Sequence, residues 1–512
     1  MLNQDFLYNR GSEVKRMNTN EAIKQLNEWE FKCSAYNLLL NTTYFDTSTI
    51  APKDGAEYRN ERIAYILGEA YEIQTDPHIK ELLKEMSKMD LDEVNKRKVE
   101  LYLKEMCKLD VLPKDFYKTY QKELMEAEIN WTKAKEEKNY KLFENNLLNL
   151  IEYTKQIAKY RDPNHDVYDL LLNDYEPGFN KLKYDEFFDL IKKELLPLIK
   201  EIANKPINDD LIYKHYNASK QAILMETIKD YLGYDKAWGY MGVSAHPFTN
   251  GFSCDDVRVT TLYDENNISS SIYSIIHEVG HAFYEHQVNH DFDGSIIKTS
   301  ISSGMHESQS RLFENYLGRK KEFIQSYYPK LQELYPDILK DVSLDKFYNL
   351  INVSKPSLIR TDADELTYPI HILIRYELEK AIFNNTIDLN NLDKEWNKKY
   401  EEYLGISAND DAMGILQDIH WSGASFGYFP TYALGSAVAA QIYYKMSQDI
   451  NIDEALLNNN FKAITDYLKE HVHQYGNLYD LDEILIKLTN EGFNPKYYID
   501  YLKNKYQAIY SL

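Results

Sequence analysis

Glycine and proline are scarce in this chain, at 19 and 14 among 512 residues, and both fall below average usage. With so few breakers between runs rich in Leu, Ile, Lys, Glu and Asn, the chain is committed to long helices. Apolar residues recur at three- and four-residue spacing over about 18–106, as in Ile63, Ile66, Leu67 and Tyr71. Pro52 and Gly55 mark one break there, near 49–55. The pattern continues over 115–160, turns at Asp162-Pro163-Asn164, and predicts further helices at about 184–204 and 218–232. Between 237 and 264 the texture changes. Gly, Pro and the β-branched Val257, Val259, Thr260 and Thr261 predict a short β-ribbon with loops. Helical periodicity returns near Ile268 and lasts to the end.

No repeat, low-complexity linker or charge asymmetry divides the chain. The expectation is a mainly α fold, one large helical domain over 17–512 with a small β-element beside the site. Residues 1–16 are polar and precede a second Met at Met17; they read as a leader, a cloning remnant or an upstream start. A net charge of −22 argues against nucleic-acid binding, which needs a basic face, and suits a protein that meets small or peptidic substrates. Cys33, Cys107 and Cys254 are few, odd in number and scattered, which fits a reducing compartment and offers no thiolate zinc site. Without an apolar leader or a run of about 18 apolar residues, the expected address is the cytoplasm.

The chemistry concentrates at His277-Glu278-Val279-Gly280-His281. In a helix over 268–288, Ile272, Ile275, Ile276, Val279 and Phe283 form the buried stripe. His277 and His281, four apart, then project from one face a single turn apart, where two imidazoles can meet one cation. Glu278 lies one step round, placed to act as general base on a water at the metal. With 13 His in the chain the motif can also arise by accident, and His286 and His290 repeat the spacing without the Glu. That second pair reads as exposed residues at the helix end. A catalytic metal needs a third protein ligand. Glu307 in His306-Glu307-Ser308-Gln309 fits, in the early turns of a helix capped by Ser302 or Ser303. Spacing leaves it equally open as a first-turn Glu serving the helix dipole, and His306 is a weaker ligand candidate.

Further strings follow in order. They are His246-Pro247-Phe248, Asp256-Val257-Arg258-Val259-Thr260, the HEVGH helix, the Glu307 segment, Ile359-Arg360-Thr361-Asp362-Ala363-Asp364-Glu365, Gly414 through Trp421, and Gly427-Tyr428-Phe429-Pro430-Thr431-Tyr432. In these the chain resembles the thermostable carboxypeptidase (carboxypeptidase Taq) family of metallocarboxypeptidases, from about Met17 to the C-terminus. The resemblance implies the architecture shared with neurolysin and angiotensin-converting enzyme, with a deep substrate groove between helical halves. It departs at Asp362, where the family usually carries Glu, and near Tyr44-Phe45-Asp46, where Trp is expected.

The resemblance implies a zinc or cobalt ion on His277, His281 and Glu307, peptide substrates with a free C-terminus, and a homodimer. A carboxypeptidase must hold a free α-carboxylate, which suits a guanidinium fork. The resemblance assigns that role to Arg360 and leaves Arg258 between substrate and scaffold. Tyr432 or His246 would donate to the oxyanion, and His420 would contact substrate. Gln417 and Asp418 would orient ligands from behind. Two other readings stay in view: a neurolysin-like oligoendopeptidase, and an idle peptide-binding scaffold that the presence of Glu278 argues against.

Overall fold

Asn18 opens the first helix, Thr19–Thr49, its side chain accepting the Glu21 backbone N–H at 2.8 Å. This computed structural model describes residues 18–512, so the segment expected at 1–16 lies outside the described residues. Helices Ala56–Gln74, Pro77–Met86 and Glu93–Asp110 follow. The sequence predicts one break in this stretch and the structure has more. Asp76 with Pro77 behind it starts a new helix, the Asp76 carboxylate accepting the His78 N–H at 2.8 Å.

These helices enclose a small core of Ala22, Leu26, Trp29, Leu82, Leu83, Met86 and Val99. Inside it Lys98 pairs with Glu30 at 2.8 Å, and the Tyr102 hydroxyl donates to the same carboxylate at 2.9 Å. Arg97 ties this unit to the C-terminal third, donating to the Asn477 backbone oxygen at 3.0 Å and to Asp480 at 2.6 Å.

The remaining helices wrap one large apolar core. The β-element is a three-stranded mixed sheet of order β1-β3-β2, where the sequence suggests a simple ribbon. β1 (Gly239–Val243) runs parallel to β3 (Asp256–Thr261), and β2 (Thr249–Ser253) runs antiparallel to it. β3 is central because it carries the β-branched residues: Val257 and Val259 point into the core while Arg258 faces the other way. The chain between β1 and β2 folds over β3, with the Phe248 N–H donating to Thr260 Oγ1 at 2.9 Å. Among the described residues no helix is long and apolar enough to cross a membrane. The small-residue run Ala433–Ala440 instead sits inside the helix Pro430–Asp449, buried in the core.

Candidate active site

Asn267 caps the motif helix, Ile268–Gln287, accepting from the Ser269 and Ser270 N–H groups at 3.1 and 3.2 Å. The stripe of Ile272, Ile275, Ile276, Val279 and Phe283 is buried as the periodicity predicts. Ser302 caps the next helix, Ser303–Arg311, through the Met305 N–H at 3.1 Å. Two glycines let that short helix be gripped from both sides. A Cβ on Gly280 would lie 2.7 Å from the Gln309 backbone oxygen and 2.8 Å from Ser310 Cα. A Cβ on Gly435, from the helix Pro430–Asp449, would lie 2.8 Å from both Cβ and Cγ of Glu307.

So clamped, Glu307 faces the motif histidines. Its Oε2 lies 3.9 Å from His277 Nε2 and 3.8 Å from His281 Nε2, and donor atoms of all three residues lie within 4.8 Å of one another. A tetrahedral ion with bonds of about 2.0–2.1 Å would set such donors about 3.3–3.5 Å apart, so each Glu307–histidine separation stands a few tenths of an ångström above that spacing. Two imidazoles and one carboxylate suit a zinc-type ion, and the residues fit it.

Sequence reasoning misses what holds the ligands. Glu314 Oε2 lies 2.9 Å from His277 Nδ1, which turns Nε2 towards Glu307. Glu314 sits on the π-helical turn Leu312–Gly318 that continues the Glu307 helix, a wider turn common at functional sites. Arg311 donates to Glu307 Oε1 at 2.7 Å and to Glu314 Oε2 at 3.2 Å. Burial alone would raise the Glu314 carboxyl, but Arg311 and the His277 hydrogen bond hold it well below the usual range. His281 is lowered, first by burial and then by His306 and His277, which keeps its imidazole neutral. Its Nδ1 has no hydrogen-bond partner among the described residues. Its ring instead stacks on His306, centroids 4.3 Å apart. His306 is not among the clustered donors; its Nε2 pairs with Glu285 at 3.0 Å, and Lys298 holds Glu285 at 2.6 Å.

Glu278 is 7% exposed and its Oε2 lies 2.6 Å from the Thr249 hydroxyl of β2. Burial raises its carboxyl, the direction a proton acceptor near neutral pH requires.

The second cluster surrounds Arg360. Asp418 Oδ1 accepts from its Nε at 3.0 Å and NH2 at 2.8 Å, while its NH1 donates to the Tyr368 hydroxyl at 3.2 Å. Of five N–H groups, one remains on each terminal nitrogen. Arg375, fully buried, holds the other Asp418 oxygen at 2.6 Å and Gln417 Oε1 at 2.8 Å. Two guanidiniums on one carboxylate leave this trio with a single net positive charge. Gln417 and Asp418 thus orient arginines, where the family resemblance suggests metal ligands. Arg375 is a residue sequence reasoning misses, though a signal exists: His371, Arg375 and Glu379 form a four-spaced polar stripe on the helix Tyr368–Phe383, buried among its apolar residues.

Tyr432 lies beside this cluster, its ring centroid 4.9 Å from the Arg360 guanidinium and its hydroxyl 3.1 Å from His420 Nε2. Burial raises the Tyr432 phenol, so it stays a neutral donor, and burial lowers His420 to about 4.

The structure does not bring every candidate inward. Arg258 is occupied by Asp256, two residues away on the same face of β3, at 2.8 and 2.7 Å, and packs over Phe252. The exposed His246 imidazole has no hydrogen-bond partner among the described residues; only its backbone oxygen is held, by Ser244. Asp362 is exposed and contacts Thr361 rather than Arg360. Phe45, in the other departing segment, packs against Phe248 and Phe252. Of the decoy pair, His290 is exposed as expected. His286 is not: it stacks on Trp238 at 3.9 Å and bonds the Cys254 backbone oxygen at 2.6 Å.

The sequence profile of the carboxypeptidase Taq (M32) metallopeptidases matches residues 25–506. Carboxypeptidase 1 of Bacillus subtilis is 42% identical over 487 residues, covering 94% of this chain and 97% of the relative. The structure of a Pyrococcus furiosus carboxypeptidase superposes with a TM-score of 0.92 at 32% identity, covering 96% of this chain and 99% of that one. The M32 carboxypeptidase of Deinococcus radiodurans gives 0.92 at 28% identity, covering 96% and 100%.

Proposed function

Because the chain belongs to the carboxypeptidase Taq (M32) metallopeptidase family, we propose that this metallocarboxypeptidase removes residues one at a time from the free C-terminus of unstructured peptides. His277, His281 and Glu307 would hold one zinc ion, with cobalt as the substitute their nitrogen and oxygen donors accept. When bound, the ion supplies Lewis acidity, lowering the pKa of water and polarising the scissile carbonyl.

The chain's own residues do the rest. Glu278 takes the proton of the attacking water on its carboxylate and passes it to the departing amine. Tyr432 offers a neutral O–H to the developing oxyanion, His420 orienting it. Arg360 receives the terminal carboxylate on its two unused N–H groups.

The observation that carries the reading is the buried surplus of positive charge at Arg360, Arg375 and Asp418. Two buried guanidiniums that share one carboxylate carry an excess of positive charge, and a substrate carboxylate would be its complement. The test is mass spectrometry of a short peptide and its C-terminally amidated twin with the metal-loaded protein. Stepwise loss from the free acid alone supports the reading. Internal cuts in both peptides would mean an endopeptidase, and none in either a binding scaffold. Glu278→Gln should lose turnover while keeping its metal.

A further inference from the structure

Tyr368 touches both halves of the site. Its ring centroid lies 4.4 Å from the Arg311 guanidinium, and its hydroxyl accepts from Arg360 NH1 at 3.2 Å. Arg311 in turn donates to Glu307 Oε1 at 2.7 Å, while Glu307 Oε2 faces the histidines. Two side chains therefore bridge the Glu307 carboxylate and the guanidinium that receives the substrate terminus. We infer that Tyr368 is a positioning residue that fixes the separation of Arg360 from the metal ligands and so sets the one-residue register of cleavage. The inference rests on the reading of Arg360 as the carboxylate clamp.

The geometry explains why a phenol is needed. Asp418 grips Arg360 through a single oxygen, on the Nε and NH2 edge. A grip on one oxygen leaves the guanidinium free to pivot about it. The Tyr368 hydroxyl stops the pivot from the opposite terminal nitrogen, so the guanidinium is tied at both ends and its unused N–H groups, one on NH1 and one on NH2, keep a fixed direction.

Tyr368 is a firm stop. It is buried, begins the helix Tyr368–Phe383 with Pro369 behind it, and its N–H donates to the Asp364 backbone oxygen at 2.9 Å. It also has only two main side-chain torsions, against four in arginine. At the reacting bond, a misplacement of about 1 Å can cost about a hundredfold in rate, and a loosened fork admits the next peptide bond inward.

Tyr368→Phe separates the two contacts, since the ring stays beneath Arg311 and only the hydroxyl goes. On a free-acid hexapeptide, KM should rise about tenfold and kcat fall less than about threefold, as for loss of a hydrogen bond that aligns a charged group. Some product should appear as dipeptide, with metal content unchanged. Unchanged KM together with single residues as the only product would overturn the inference.

Arg360→Lys and the amidated twin keep the underlying reading separate. If wild type cleaves both twins equally, the clamp fails and Tyr368 with it. If Arg360→Lys loses the discrimination while Tyr368→Phe behaves as wild type, the clamp stands and the role given to Tyr368 fails.

Discussion

Glu314 Oε2 lies 2.9 Å from Nδ1 of His277, and Arg311 joins that same carboxylate to Glu307. The outer face of the ligand set is thus one charge network, and it decides which nitrogen His277 offers inward. Replacing Glu314 with Gln removes the charge that fixes this tautomer. Metal affinity should fall about 10–100-fold, as for loss of other residues that support metal ligands. Competition with a chromophoric chelator measures it; an unchanged dissociation constant would mean Glu314 serves only Arg311 and Arg319.

Gly280 sits between the two motif histidines, and the backbone of Gln309 and Ser310 occupies the space a side chain would need. Neither neighbour is the end of a flexible chain, so Gly280→Ala must push the helices apart. Overpacking of this kind costs about 1–3 kcal/mol. Because the shift moves Glu307 away from His277 and His281, metal affinity should drop along with the urea midpoint. An alanine variant with wild-type stability and metal binding would show that the crossing is looser than these contacts imply.

The sequence shows much of this site because a helix turns spacing into direction: His277, Glu278 and His281 are placed by their own helix. Glu307 is legible only as a capped, inward residue, since its meeting with the histidines depends on a crossing set by Gly280 and Gly435, far apart in the chain. Arg375 and Tyr368 are harder still. The polar stripe of His371, Arg375 and Glu379 marks a face but not what it meets, because the partners Asp418 and Arg360 come from other segments. The β-element is legible from its β-branched residues, but its strand order is not, because β-propensity marks strands and not how they pair. His286 is misjudged because its place at a helix end says nothing of Trp238, which covers it.

Arg375 and Arg360 both depend on Asp418, so Asp418→Ala should leave two buried guanidiniums without their shared anion. Removing one partner from a buried ion pair costs about 3–5 kcal/mol. Equilibrium urea unfolding should show a loss of that size. The surviving folded protein should have a raised KM for free-acid peptides, because Arg360 loses one of its two anchors. A loss below about 1 kcal/mol, typical of exposed pairs, would indicate that water reaches the trio freely.

Glu176 makes stability depend on pH. Its carboxyl is buried against the start of the Glu307 helix, accepting the Gly304 N–H at 3.0 Å, and burial raises it to about 8. In the unfolded chain the same group titrates near 4.5. Between those values the folded protein holds a proton that the unfolded chain has released, so stability falls as pH rises. Glu176's contribution is complete below about pH 4.5 and is lost progressively up to about pH 8, on the order of a few kcal/mol in all. Glu176→Gln mimics the neutral acid and cannot ionise, so it should flatten that slope. Urea midpoints at pH 5 and pH 8 test this: the variant should match wild type at the lower pH and exceed it at the higher. Equal midpoints at pH 8 would mean that Glu176 ionises in place, with the N–H groups of the Glu307 helix sufficient to hold its charge.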